Sequence, residues 1–303
     1  MNHFDVKRNT HRTSNSRLRG SKMIQDIAPF ALNNAYRIDA VPEDDSCIVV
    51  YRDGKMLLNR TDESIDFPRY RDLIHNGTEH LIYLFEISGI QFYFCDSDDI
   101  QVTGNCEYLE PWIFRSVKPQ EMAFAIATAR HICAWYTDHR FCGQCGARME
   151  HDEKERMMSC PECGNHVYPV ISPAVIVAVT DGDRLLLTRY ASRPGTPSAL
   201  VAGFNEVGET IEETVAREVM EETGLKVRDI KYYKSQPWGI TGGLLLGFWV
   251  RLDGSSKVTL NDGELGEAVW MTRQEIIDKV PPDDISLTRE MITVFSKGYD
   301  PYE

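Results

Sequence analysis

Residues 203–225 constrain this chain more than any other stretch. Gly203-Phe204-Asn205-Glu206-Val207-Gly208-Glu209 is followed, after seven intervening residues, by Arg217-Glu218-Val219-Met220-Glu221-Glu222-Thr223-Gly224-Leu225. Thr210 with Glu213 forms a capping-box pair and Gly224 supplies a left-handed stop, so the sequence predicts a helix over 211–223. Ile211, Val215 and Val219 fall at i, i+4 and i+8 and form one buried stripe. Glu218, Glu221 and Glu222, at i, i+3 and i+4, share another face. Three carboxylates near a helix C-terminus oppose the macrodipole, at roughly 0.3–1 kcal/mol per group, and repel one another. A hard divalent cation such as Mg²⁺ or Mn²⁺ relieves that repulsion through oxygen ligands and keeps water for a phosphate to replace.

An isolated Glu-x-x-Glu-Glu reads first as an exposed acidic helix face. Here the surrounding positions decide, because the spacing matches the Nudix box, Gly-x5-Glu-x7-Arg-Glu-U-x-Glu-Glu-x-Gly-U with U apolar, at every fixed position. The chain resembles the Nudix hydrolases, which cleave nucleoside diphosphates linked to another moiety.

Cys142-Gly143-Gln144-Cys145 and Cys160-Pro161-Glu162-Cys163 form two Cys-x-x-Cys knuckles. That pattern suits tetrahedral thiolate coordination of Zn²⁺ with no open position, hence a structural role; redox disulfides and an iron–sulfur cluster are the alternatives. Cys47, Cys95, Cys106 and Cys133 are scattered and outline no secreted disulfide framework.

The balance of 46 Asp and Glu against 33 Lys and Arg argues against gripping nucleic acid by bulk charge. No run approaches the roughly 18 apolar residues of a membrane span, so a cytoplasmic protein without a membrane partner is expected. Residues 1–22 carry Lys7, Arg8, Arg12, Arg17, Arg19 and Lys22 against Asp5 alone and read as a disordered basic tail, or as an extension upstream of a start at Met23. Residues 23–118 alternate short β runs with turns, including hairpin signals at Asp53-Gly54 and Ser88-Gly89, and predict a mostly β domain. A linking helix over 119–140 opens near Pro119, the zinc module takes 141–168, and 169–303 reads as strands and helices in an α+β layered domain. Within it, runs at 174–180, 184–188, 244–252 and 268–271 predict strands. Thr272 with Glu275 caps one helix, and 286–297 forms another.

This order is that of the Nudix α/β/α sandwich preceded by a zinc ribbon and a mostly β N-terminal domain. With Phe141-Cys142, Tyr168-Pro169 and Ser235-Gln236-Pro237-Trp238, it resembles the NADH pyrophosphatase branch over roughly residues 120–298. In that branch the Ser-Gln-Pro-Trp element continues into a proline-aromatic-proline run, whereas here Gly239-Ile240-Thr241-Gly242-Gly243 follows, a loop expected to be more permissive and less preorganised. The resemblance implies metal-dependent hydrolysis of NADH or NAD⁺ to nicotinamide mononucleotide and AMP by a homodimer. Another ADP-linked compound, dephospho-coenzyme A or an NAD-capped RNA end is the alternative substrate, and a nucleotide sensor that binds without cutting is the alternative class.

The same resemblance implies that Glu218, Glu221, Glu222 and Glu264 hold Mg²⁺ or Mn²⁺, with Glu264 preferred over Glu267 as the fourth carboxylate. Glu222 and Glu264 are the candidate general bases, and Arg217 and Glu209 orient the network. Phe204 is expected to stack on a base, with Ala202, Tyr168, Gln236 and Thr288 lining the pocket, whereas Trp238 reads as a packing anchor.

Overall fold

The computed structural model describes residues 22–61, 64–74, 80–97, 100–192, 194–195, 198–260, 263–281 and 285–302. The basic segment 1–22 lies, Lys22 apart, outside the described residues, as does Asp262 beside Glu264.

The C-terminal half of the chain is built on strand Ser172–Asp181, whose side chains alternate between two faces. Val175, Val177 and Val179 face helix α2 (Ile211–Thr223) and pack with Val215 and Val219. Ile176 and Ala178 face the opposite way, toward Leu287, Met291 and Phe295 of helix α4 (Leu287–Ser296). One strand thus gives the sheet two apolar faces and a helix on each. Strand Gly243–Leu252 lies parallel to it on one side, with Val227–Trp238 outermost. On its other side Arg184–Tyr190 and Val201–Phe204 pair antiparallel with it, and Leu265–Thr272 pairs with Arg184–Tyr190 to close that edge. Helix α3 (Arg273–Lys279) follows, capped by Thr272 with Glu275.

The described residues of 23–118 form two small sheets. Leu32–Asn33, Leu81–Ile87, Ile90–Cys95 and Cys47–Val49 make one; Tyr51–Arg52, Lys55–Arg60, Ile65–Asp66 and Cys106–Leu109 make the other. Helix α1 (Gln120–Asp138) is more than a link. Its Ala125, Ile126, Ala129 and Cys133 share one buried cluster with Val49, Leu58 and Phe94 of the sheets and with Cys142, Met158 and Cys160 of the cysteine module. The mostly β part, the helix and the module therefore have a common core.

The glycine loop departs from the expectation of permissiveness. A Cβ on Gly239 would overlap the carbonyl of Ala127 in α1, and one on Gly242 would press on His131. Ile240 is buried in the common core, and the Arg130 guanidinium donates to the Gly239 carbonyl at 3.4 Å. The glycines allow α1 to seat directly against the C-terminal half, so the loop is a close-packed joint.

Candidate active site

Helix α2 carries the capping box and the αL stop in full. The Thr210 hydroxyl accepts from the Glu213 amide, the Glu213 carboxylate accepts from the Thr210 amide, and Gly224 has φ of 69°. The carboxylates differ sharply in setting. Glu222 is buried at 2% exposure, Glu218 is largely covered, and Glu221 is exposed. Among the described residues, no three of these glutamates bring their oxygens within 4.8 Å of one another.

Arg217 ties the group together. Its Nε and Nη2 donate to Glu209 at 2.6 and 2.9 Å, Nη1 donates to Glu218 at 2.8 Å and to Glu221 at 3.0 Å, and Nη2 also reaches the Phe204 carbonyl at 3.0 Å. This bidentate guanidinium holds the Glu209 carboxyl down at about 2, with hydrogen bonds from Thr214 and the Glu206 amide assisting. Burial pushes the Glu218 carboxyl up, against the pull of Arg217 and with the push of Glu221 and Glu264. A carboxylate largely withdrawn from water, and crowded by two more carboxylates, is a natural ligand for a hard cation. The Glu218 carboxylate lies directly over Gly203, where any Cβ would overlap it. The first glycine of the box is therefore a seat for that carboxylate.

Glu218 opens into a cleft of about 900 Å³, and Glu264, Phe204, Ala202 and Thr288 line the same cleft. Glu267 instead faces Arg189, at 3.3 Å. Two residues expected in the pocket lie elsewhere. Gln236 is 0% exposed; its amide donates to the Ile285 carbonyl at 2.9 Å and to Gln25 at 3.3 Å, and its oxygen accepts from the Leu287 amide at 2.7 Å. It fixes the start of α4 and the segment around Gln25. Replacing it with leucine strands buried backbone groups at about 1–3 kcal/mol each; thermal unfolding of Gln236→Leu should show a lower Tm while KM stays close to the parent value. Tyr168 does not line the cleft of its own chain, and its hydroxyl donates to Glu155 at 2.7 Å. Trp238, expected as an anchor, packs edge-on against Phe114 with centroids 5.6 Å apart and also lines the cleft. Trp112 and Arg115, from the N-terminal part, complete that wall; no local signal in the sequence marks them.

The four knuckle cysteines converge. Cys142 Sγ is 3.6 Å from Cys163 Sγ, Cys145 Sγ is 3.5 Å from Cys160 Sγ, and all four sulfurs fall within 4.8 Å. Tetrahedral metal–sulfur bonds of about 2.3 Å place sulfurs roughly 3.8 Å apart, so the cluster has the size of a tetrathiolate site. Amide hydrogen bonds at Cys145 and Gln144 hold the Cys142 thiol down at about 6. At Cys163 the Asn165 amide favours the thiolate, but burial and the neighbouring thiols prevail and push it up to about 12. Four thiolates this close need a cation. Cys47, Cys95 and Cys133 are buried singly in the core.

The NUDIX domain profile matches residues 170–291, and the profile of the NADH pyrophosphatase zinc ribbon domain matches residues 138–168. The chain is similar to the NAD-capped RNA hydrolase NudC of Pseudomonas aeruginosa, 41% identical over 170 residues, covering 55% of this chain and 59% of that protein. It is 35% identical over 179 residues to the NAD-capped RNA hydrolase NudC of Haemophilus influenzae, covering 58% of this chain and 67% of that protein. The match thus spans about three fifths of the Pseudomonas relative's length. Among solved structures, a NUDIX hydrolase from Nitrosomonas europaea overlays with a TM-score of 0.43 at 23% identity, covering 52% of this chain and 92% of that one. With a Nudix domain following an NADH pyrophosphatase-type zinc ribbon, and such identity across two thirds of the Haemophilus protein, the chain belongs to the Nudix family, in the branch that carries this ribbon.

Proposed function

We propose that the protein hydrolyses the pyrophosphate bond of NADH and NAD⁺, giving nicotinamide mononucleotide, reduced or oxidised, and AMP. The observation that carries this reading is the meeting of Glu218, Glu264 and the 54%-exposed Phe204 ring in one cleft large enough for a dinucleotide. Glu218, Glu221, Glu222 and Glu264 are the residues that would hold Mg²⁺ or Mn²⁺, and a donor set made only of carboxylates suits those ions. When bound, such ions neutralise charge on the phosphates and favour phosphoryl transfer to water.

The protein's own groups supply the rest. Arg217, fixed by Glu209, holds Glu218 and Glu221 in position, and Gly203 leaves room for the Glu218 carboxylate. Glu222 or Glu264 accepts the proton of the attacking water. A new P–O bond forms at one phosphorus while the bridging oxygen leaves with the other phosphate. Phe204 stacks on one base, beside Ala202 and Thr288. In the cysteine module, Cys142, Cys145, Cys160 and Cys163 hold structural Zn²⁺.

The relatives named as NAD-capped RNA hydrolases support a second substrate of the same chemistry, an RNA whose 5′ end carries NAD. Two copies of the chain are proposed to pair through the exposed Phe141, Tyr168, Val170 and Ile171. Tyr168, which does not line its own cleft, would then serve the partner's.

The test is a substrate panel with Mg²⁺ or Mn²⁺: NADH, NAD⁺, ADP-ribose, dephospho-coenzyme A and NAD-capped RNA. NADH is expected to give the highest kcat/KM, and Glu218→Gln to lower it roughly 10²–10³-fold, as loss of one charged transition-state contact does. Efficient cleavage of another compound with both forms of NAD untouched would contradict the reading.

A further inference from the structure

The wall of the cleft contributed by the N-terminal part is shaped by a short 3₁₀ helix, Pro111–Ser116, joined directly to the segment leading into α1. A 3₁₀ helix repeats every three residues, so positions three apart share a face. Pro111 and Phe114 form the inward face and are buried. Trp112 and Arg115 form the outward face, and both reach the catalytic cleft. Trp112 is 45% exposed, a poor arrangement for an indole whose only task is packing, since the same turn already anchors itself through Phe114.

Trp112 does not stand alone. Its ring centroid is 6.4 Å from that of Trp238, and the Arg115 guanidinium lies 5.7 Å from the Trp112 ring and 5.5 Å from the Trp238 ring. Close packing of Gly239 on α1 holds the end of the Val227–Trp238 strand against this turn, so the two indoles are positioned by backbone contacts. Among the described residues, no ring contact joins Phe204 to this cluster. The cleft therefore has two separate aromatic surfaces. Phe204 adjoins Gly203, on which Glu218 rests, and the Trp112–Trp238 pair comes from other elements.

A nicotinamide dinucleotide carries a ring base, joined through a ribose, at each end of its pyrophosphate: aromatic adenine at one, nicotinamide or its dihydro form at the other. We infer that Trp112, with Trp238 and Arg115, forms a second nucleobase subsite, which takes the base that Phe204 does not. This inference rests on the proposed pyrophosphatase reading and adds to it a specificity element from outside the Nudix domain. Trp112 supplies the stacking face, and Arg115 is a positioning residue that orients the indoles through their π faces.

The test is equilibrium binding of the two mononucleotides, AMP and nicotinamide mononucleotide, by calorimetry in the presence of Mg²⁺. The proteins are the parent, Trp112→Ala, Phe204→Ala and Trp112→Phe. The expected result is a crossed pattern: Trp112→Ala raises the Kd of one mononucleotide about tenfold and leaves the other within twofold, Phe204→Ala does the reverse, and Trp112→Phe restores most of the lost affinity. Unchanged Kd values in Trp112→Ala, equal weakening of both, no recovery in Trp112→Phe, or no binding of either mononucleotide by the parent would overturn the subsite. NADH turnover by the parent, measured in parallel, reports separately on the pyrophosphatase reading.

Discussion

Replacing Gly203 with alanine is expected to lower kcat/KM for NADH by about 10²-fold or more while leaving the fold intact. Gly203 sits in strand Val201–Phe204 with no left-handed φ, so alanine meets no backbone penalty. Its methyl group would instead overlap the Glu218 carboxylate. That carboxylate is also held by Arg217 Nη1, so it must leave both its seat and its partner. A displacement on the order of 1 Å in a reacting constellation can cost about 10²-fold, which sets the expected size. The check is steady-state kinetics beside thermal unfolding. A large loss of activity with Tm within a few degrees of the parent supports the seat; near-parent activity means that Glu218 has no fixed catalytic position.

The second large effect concerns the cysteine module. The purified protein is expected to carry one zinc per chain, and Cys160→Ser to lose it. Cys145 and Cys163 are exposed, so a strong chelator should strip the parent as well. Structural zinc contributes an apparent ~10–16 kcal/mol in isolated finger peptides, far beyond what this short segment can replace. Because Cys142, Met158 and Cys160 belong to the same core as α1 and the N-terminal sheets, the damage should spread beyond residues 138–168. Limited proteolysis should cut first in the module and then in the N-terminal part, with a Tm fall of 10 °C or more, taking each kcal/mol as roughly 2–4 °C in a chain of this size. Zinc-free protein with an unchanged unfolding curve would contradict the assignment.

Helix α2 was legible to the residue because its two ends are written locally, in the Thr210–Glu213 box and at Gly224. The buried strands were legible because apolar runs such as 174–179 lie between helices. Strand Val227–Trp238 was not, for a physical reason. It is the sheet edge, so polar residues and Pro237 are tolerated there, and its register shifts between Arg228 and Lys231 and again between Tyr232 and Ser235. Spacing brings the box glutamates to one helix, but it does not show that Glu222 is buried while Glu218 enters the cleft. Gln236 illustrates the limit of motif transfer: its place in Ser-Gln-Pro-Trp suggested the pocket, while its three hydrogen bonds serve the framework. The glycine loop misled in the opposite direction. Glycine allows freedom in an open loop but also close approach, and contact with α1 uses the latter. Trp112 and Arg115 were invisible because nothing in 111–116 announces that the turn meets a site assembled from residues about 60 to 180 positions later.

Pyrophosphate hydrolysis is tested most directly by identifying the products formed from NADH in ¹⁸O-labelled water with Mg²⁺, using the parent and Glu222→Gln. The expected result is equal amounts of AMP and reduced nicotinamide mononucleotide, a single ¹⁸O on one of the two phosphates, and release almost abolished in Glu222→Gln. Absence of cleavage by the parent, or cleavage that Glu222→Gln leaves unchanged, would contradict it.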